Sequence, residues 1–166
     1  MSTRDNLQAA FAGESQANRK YLAFAKKADA EGYPMVGKLF RAAAAGETIH
    51  AHAHLRVMGG IKATVENLAE AVQGESFEYT QMYPNFIKEA TEEDNKAALV
   101  SFQNAMAVEQ VHCSLYIEAL EAVKGGADTP EKKMLVCSVC GNTVLDGAPD
   151  KCPVCRAAGE KFFEVE

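Results

Sequence analysis

The chain contains no tryptophan, few prolines before residue 130, and no run of about twenty apolar residues. The shortage of proline favours long helices over the first three quarters of the chain. The absence of a long apolar run excludes a helix that crosses a bilayer, and the N-terminus lacks the basic start and apolar stretch of a signal peptide. We therefore expect a soluble, cytoplasmic protein that does not act in a membrane.

Positive charge is also in short supply, with 17 Lys and Arg residues against 23 Asp and Glu residues. Nucleic-acid binding depends on clustered basic side chains, and the sequence shows no such cluster, so a nucleic-acid partner is not expected. Five cysteines in a chain without a secretion signal indicate metal ligation rather than disulfide bonds.

The spacing of apolar residues predicts a mainly α protein, a ferritin-like four-helix bundle with a long crossover. The predicted main helices run from a cap at Ser2 or Thr3 to Gly32, from Pro34 to Gly59, from near Ser76 through a kink at Pro84, and from the turn at 92–95 to Gly125. A short capped helix beginning at Thr64 is expected inside the crossover. The bundle should occupy residues 1–127, followed by a linker at 128–134 and a small tetracysteine domain at 135–166.

The phrase Glu-x-x-His occurs twice, at Glu47 to His50 and at Glu109 to His112. Residues three apart on a helix project from the same face, so each phrase aims a carboxylate and an imidazole at one point. Two further glutamates, Glu14 and Glu78, interrupt the apolar stripes of the first and third predicted helices. Glu14 lies about as far from its turn as Glu47 does, and Glu78 about as far from its turn as Glu109 does. Buried carboxylates need compensating cations, and this donor set is typical of di-iron and di-manganese bundles. The predicted ligands are Glu14, Glu47, His50, Glu78, Glu109 and His112.

Three other side chains that could take part in chemistry are also compatible with a purely structural or surface role. Tyr21 lies two turns from Glu14 and could either donate a hydrogen bond to a ligand carboxylate or fill the core. Cys113 has no cysteine partner at motif spacing and is predicted to be a small buried apolar residue. His52 is predicted to lie on the surface.

The C-terminal region holds two Cys-x-x-Cys knuckles separated by eleven residues. This spacing is typical of a tetrathiolate metal site, either a zinc ribbon or a one-iron centre of the rubredoxin type. A module this small is not expected to fold well without its metal. The predicted ligands are Cys137, Cys140, Cys152 and Cys155.

Taken together, these motifs resemble the rubrerythrin family over essentially the whole chain. The matching segments are Gly13-Glu14-Ser-Gln-Ala, Glu47-x-x-His50, Glu78-Tyr-Thr-Gln-Met-Tyr-Pro84, Glu109-x-x-His112 and the two cysteine knuckles. The resemblance implies a non-haem di-iron site in a ferritin-like bundle with an appended rubredoxin-like FeS4 domain. It implies a peroxidase that reduces hydrogen peroxide to water, with electrons supplied through the FeS4 centre by a reductase or a rubredoxin.

The resemblance also implies individual roles. Glu47 and Glu109 would bridge the two irons, Glu14 and His50 would serve the first iron, and Glu78 and His112 would serve the second. Family members are typically homodimers in which the FeS4 domain of one subunit approaches the di-iron site of the other.

One position departs from the family pattern. Rubrerythrins generally carry a further glutamate three residues after the one that matches Glu78, and this chain has Gln81 there. In the family this carboxylate exchanges with the helix-two histidine, here His50, as the redox state changes. The neutral Gln81 predicts impaired exchange, with altered peroxidase kinetics or a preference for dioxygen.

Two alternatives to the peroxidase remain open from the sequence. One is a di-iron ferroxidase or oxidase that uses dioxygen. The other is a non-enzymatic iron-binding protein whose cysteine-rich tail holds zinc.

Overall fold

The structure is a computed structural model that describes residues 2–166. Its described part is mainly helical with a small β element near the C-terminus, which confirms the predicted fold class in outline. The chain divides into two compact units, the first ending at Lys62 and the second spanning Ala63–Glu166. None of the helices described is long and apolar enough to span a bilayer.

The first unit is an α-helical hairpin formed by α1 (Thr3–Ala30) and α2 (Pro34–Val57). Helix α1 begins as predicted, because the Ser2 hydroxyl accepts the Asp5 N–H while the Asp5 carboxylate accepts the Ser2 N–H. Pro34 occupies the first turn of α2, where its missing N–H costs nothing. Small buried alanines let the two helices approach closely, namely Ala25, Ala28, Ala44 and Ala51.

The second unit starts with one helical run rather than the predicted crossover, short helix and separate third helix. It consists of α3 (Thr64–Phe77), a π-helical segment (Glu78–Met82) and α4 (Tyr83–Glu92). Only residues 58–63 connect α2 to α3, so the prediction of a long crossover and of a new helix near Ser76 was wrong. The interruption near Pro84 takes the form of a π turn, because a wider turn accommodates a proline that lacks an N–H.

Helix α5 (Lys96–Lys124) packs against α3 and α4 and confirms the predicted fourth helix. The Asn95 side chain accepts the Ala98 N–H at its start, and Gly125 and Gly126 follow its last turn.

The C-terminal part of the second unit is a three-stranded antiparallel sheet in the order β2-β1-β3. Its strands are β1 (Met134–Cys137), β2 (Thr143–Leu145) and β3 (Phe162–Glu164). Strand β2 contacts α5, so the sheet rests on the helix that carries the second Glu-x-x-His phrase.

Candidate metal centres

The first candidate centre, called the first set below, consists of Glu14 on α1 with Glu47 and His50 on α2. The donor atoms of these three residues all lie within 4.8 Å of one another. His50 Nδ1 lies 3.0 Å from Glu47 Oε2 and 3.9 Å from Glu14 Oε1. The structure therefore brings together the three residues that the sequence predicted for the first unit.

A buried asparagine fixes the two helices beside the first set. Asn18 Nδ2 donates to the Ala44 carbonyl at 2.7 Å and to Thr48 Oγ1 at 2.8 Å. Asn18 follows Glu14 by one turn of α1, and Thr48 follows Glu47 directly on α2. These two hydrogen bonds hold the two carboxylates in register across the hairpin.

Tyr21 packs among aromatic rings further along the same hairpin. Its ring centroid lies 6.0 Å from that of Phe40 and 6.4 Å from that of Phe24. Of the two interpretations that the sequence left open, these contacts favour core packing.

The second candidate centre, the second set, lies within the second unit. It consists of Glu75 on α3 with Glu109 and His112 on α5, and their donor atoms again lie within 4.8 Å of one another. His112 Nδ1 lies 3.0 Å from Glu109 Oε2, the same distance as in the first set. Both Glu-x-x-His phrases therefore pair their side chains as the helical spacing predicted.

The carboxylates of the second set repel one another. Partial burial raises the pKa of Glu75 to about 7, aided by a hydrogen bond to Glu109 and by the negative charges of Glu109 and Glu78. Burial, followed by the charge of Glu109, also raises the pKa of Glu78. A positive charge within a few ångströms would stabilise these carboxylates in their charged form. The second set is therefore suited to binding a cation.

Glu75 is a candidate ligand that the sequence analysis overlooked. It precedes Glu78 by three residues, so both carboxylates lie on one face of the helical run. A usable signal was present, since the dipeptide Gly-Glu occurs inside three α-helices, at 13–14, 46–47 and 74–75, and outside them only at 159–160 in the C-terminal region. Gln81, by contrast, is exposed in the π segment. The predicted ligand Glu78 is half-buried in the same segment, and it lies outside the group of donor atoms formed by Glu75, Glu109 and His112.

Tyr83 is a second residue that sequence analysis did not single out. Burial raises the pKa of its phenol, and the charges of Glu109, Glu78 and Glu75 raise it further, which places the hydroxyl in the field of the second set. The Tyr83 N–H donates to the Glu78 carbonyl, the five-residue hydrogen bond of a π turn. In a π turn, residues five apart lie roughly above one another, so Tyr83 and Glu78 share a face. In a regular α-helix, residues five apart would lie on different faces.

The third candidate centre is formed by the four cysteines of the knuckles, none of which is in a disulfide. Cys137 Sγ lies 3.7 Å from Cys155 Sγ, and Cys140 Sγ lies 3.6 Å from Cys152 Sγ. Sulfurs at about 2.3 Å from a tetrahedral metal ion are about 3.8 Å apart. The four thiols thus have the spacing that a single tetrahedral ion requires.

The backbone of each knuckle supports this arrangement. Gly141 donates its N–H to the Cys137 carbonyl, and Arg156 donates its N–H to the Cys152 carbonyl in the second knuckle. Burial acts to raise the pKa of the Cys137 thiol, but backbone N–H groups of Cys140 and Val139 outweigh it and lower the pKa to about 7. Cys137 is therefore prepared to bind a metal as the thiolate.

The fifth cysteine behaves differently. Cys113 is buried, and its thiol lies 3.8 Å from the Val72 carbonyl. This confirms the prediction of a small buried residue. His52 is exposed, also as predicted.

Comparison with known proteins gives a consistent result for both parts of the chain. The family described as Rubrerythrin matches residues 5–120, and the Rubrerythrin, rubredoxin-like domain matches residues 136–163. Rubrerythrin-2 of Clostridium acetobutylicum is 34% identical over 96% of this chain and 95% of its own length. Nigerythrin of Nitratidesulfovibrio vulgaris is 37% identical over 97% of this chain and 85% of its own length.

Solved structures of nigerythrin are similar along the whole chain. The partially reduced state gives a TM-score of 0.58 at 33% identity and covers 99% of this chain and 87% of that one. The fully reduced, all-ferrous state gives the same TM-score, identity and coverage.

Proposed function

Because the chain belongs to the rubrerythrin family, we propose that it is a non-haem di-iron peroxidase that reduces hydrogen peroxide to water. The observation that carries the proposal is the second set, in which Glu75, Glu109 and His112 present donor atoms within 4.8 Å of one another. The same unit holds a four-cysteine site through which electrons would be resupplied.

A rubrerythrin domain implies a di-iron site, and a rubredoxin-like domain with four cysteines implies an iron site. The donors of this chain fit both groups. Carboxylate oxygen and imidazole nitrogen suit iron with open coordination positions, while four thiolates suit a closed one-iron centre. The raised pKa of Glu75 and Glu78 supports the fit, because the charges of a metal-free second set lack compensation.

We assign one iron to the first set and the other to the second set. For the second iron the candidate ligands are the three residues of the second set and Glu78, whose carboxyl lies in the field of Glu109. The roles of Glu47 and Glu109 as bridging ligands stay a prediction from the family.

We further infer that Glu75 and Glu78 are the two family glutamates spaced by three residues. The sequence interpretation had paired Glu78 with Gln81 and therefore counted one carboxylate too few. With Glu75 included, the chain offers five candidate carboxylates, and Gln81 needs no role in ligand exchange. The proposed preference for dioxygen that rested on Gln81 loses its basis under this assignment.

When bound, the iron pair supplies two electrons that, with two protons, convert one hydrogen peroxide molecule into two water molecules. The protein side chains manage the protons. In the metal-free chain the pKa of Glu75 is raised to about 7, so this carboxyl gains and loses its proton near neutral pH, and cations compete with that proton. Tyr83 keeps its proton because its pKa is raised, so its hydroxyl remains a hydrogen-bond donor beside the carboxylates.

The decisive experiment mixes the anaerobically loaded, fully ferrous protein with hydrogen peroxide or with dioxygen in a stopped-flow instrument. We expect peroxide to oxidise the protein faster than dioxygen, with one peroxide consumed for each pair of irons. A Glu109→Gln variant should lose this reaction. The matched Glu89→Gln variant, which changes an exposed glutamate of α4, should keep it.

The alternatives give different results in the same measurements. Faster oxidation by dioxygen would identify the ferroxidase or oxidase. Absence of oxidation by either oxidant, together with a colourless C-terminal site that lacks thiolate-to-iron absorption, would identify the iron-binding protein with a zinc tail.

The remaining parts of the proposal follow from the family. We propose a bundle over residues 1–127, a linker at 128–134 and a tetracysteine domain at 135–166. We also propose that the protein is a homodimer and that a reductase or a rubredoxin supplies its electrons.

A further inference from the structure

A hydrogen bond connects the cysteine-rich sheet to the second set. His112 Nε2 lies 3.1 Å from Thr143 Oγ1, the first residue of β2. We propose that Thr143 is a positioning residue, whose hydroxyl accepts the Nε2–H of His112 and so holds the ring with Nδ1 free to bind metal. The inference rests on the proposed function in one respect, that His112 is a metal ligand.

The geometry decides which ring nitrogen would bind. Nδ1 of His112 faces Glu109 Oε2 at 3.0 Å and therefore lies inside the second set, while Nε2 faces Thr143 outside it. A neutral imidazole carries one proton, and the nitrogen that binds a metal must be the unprotonated one. The proton then resides on Nε2, where Thr143 Oγ1 is its acceptor. Metal-binding histidines usually need such an acceptor to fix the tautomer and the ring orientation.

The backbone just before Thr143 also lies close to α5. A side chain at Gly141, two residues before Thr143, would meet Val108 Cγ1 at 3.9 Å, so the backbone at Gly141 passes close to α5. Val108 is buried and precedes His112 by four residues, which places both on one face of the helix. The first knuckle and β2 therefore both lie beside α5 near His112. The backbone position of Thr143, as well as its side-chain rotamer, brings Oγ1 close to the histidine.

The two Glu-x-x-His phrases differ in this respect. His50 keeps 58% of its side chain exposed, whereas His112 keeps 28%. The small domain covers the outer edge of His112, and Thr143 provides the polar atom at that edge. Because Thr143 follows Cys140 by only three residues, the four-cysteine site and the second set are also joined by a short stretch of backbone and one hydrogen bond.

The test compares Thr143→Val with Thr143→Ser in the full chain loaded with Zn²⁺, which is diamagnetic and binds both donor types. Valine keeps the shape of threonine without the hydroxyl, and serine keeps the hydroxyl. Thr91→Val is the matched control, because Thr91 is exposed on α4 and its hydroxyl donates to the Ile87 carbonyl of its own helix. Zinc affinity is measured by chelator competition, and ¹⁵N-histidine NMR follows the exchange of ring N–H protons.

We expect Thr143→Val to weaken zinc binding at the second set by about 10- to 100-fold and to speed exchange of the His112 Nε2–H. Zinc at the four cysteines should be retained, Thr143→Ser should restore both properties, and Thr91→Val should match the unmodified protein. Unchanged affinity and exchange in Thr143→Val would overturn the inference alone, as would failure of Thr143→Ser to restore them. An unmodified protein that binds zinc only at the four cysteines would overturn both the inference and the ligand assignment beneath it.

Discussion

Replacing Glu75 by glutamine should stabilise the metal-free protein while weakening its metal binding. Glu75 is partly buried, hydrogen-bonded to Glu109 and repelled by Glu109 and Glu78, which together raise its pKa from 4.5 to about 7. Glutamine removes the charge but keeps an amide that donates to the Glu109 carboxylate. The variant therefore removes the repulsion and preserves the hydrogen bond.

The size of the effect follows from the pKa. At about 1.4 kcal/mol per pKa unit, the rise from 4.5 to about 7 corresponds to about 3 kcal/mol of unfavourable free energy for the charged form. Glu75 remains partly exposed, so solvent screening reduces the expected value to about 1–2 kcal/mol. Because the folded state holds the proton more tightly than the unfolded chain, this destabilisation is absent below pH 4.5 and grows until the pH passes about 7.

The assay is urea unfolding of metal-free protein, followed by helical circular dichroism between pH 5 and pH 8. The difference in free energy of unfolding between Glu75→Gln and the unmodified chain should rise over this range. The exposed control Glu89→Gln should show no comparable trend. A difference that is constant with pH, or a variant that is less stable than the unmodified chain at pH 8, would refute the electrostatic reasoning.

Three further results are expected. Cys140→Ser should abolish thiolate-to-iron absorption and unfold the small sheet, seen by loss of its NMR dispersion, while helical circular dichroism is largely retained. Gly141→Ala should destabilise that sheet by about 1–2 kcal/mol in thermal unfolding, because Gly141 has a φ of +87° that side chains disfavour. Asn18→Ala should lower the free energy of unfolding by about 1–3 kcal/mol, since it removes two hydrogen bonds between α1 and α2, each worth about 0.5–1.5 kcal/mol; an unchanged urea midpoint would contradict that role.

The helical spacing of apolar residues and the capping residues allowed most of the fold to be predicted. Ser2, Pro34, Asn95 and Gly125 mark helix ends through local chemistry that depends on a few neighbouring residues. The two Glu-x-x-His phrases and the cysteine knuckles are similarly local, and the family matches confirm the resemblance inferred from them.

The errors concern the segment from Gly59 to Pro84, where local signals conflict. Gly74 is unfavourable inside a helix, in keeping with the expected short helix from Thr64 and new start near Ser76, whereas Pro84 was expected to kink the third helix. The structure instead continues the helix through Gly74 and absorbs Pro84 with a π turn. Packing along α5 outweighs the penalty of about 1 kcal/mol for Gly74, and such packing is not visible in a single sequence.

The same error explains why Glu75 was missed. Placing the start of the third helix near Ser76 put Glu75 in the preceding connection, so its three-residue spacing to Glu78 carried no meaning. In a continuous helix the two carboxylates share a face that points at Glu109, and mutual repulsion raises the pKa of both. A protein that needed only a stable helix pair would gain by losing one of these charges. The presence of both carboxylates on a packed face is explained by a cation that compensates their charge, so the charge arrangement supports the metal assignment in addition to the motifs.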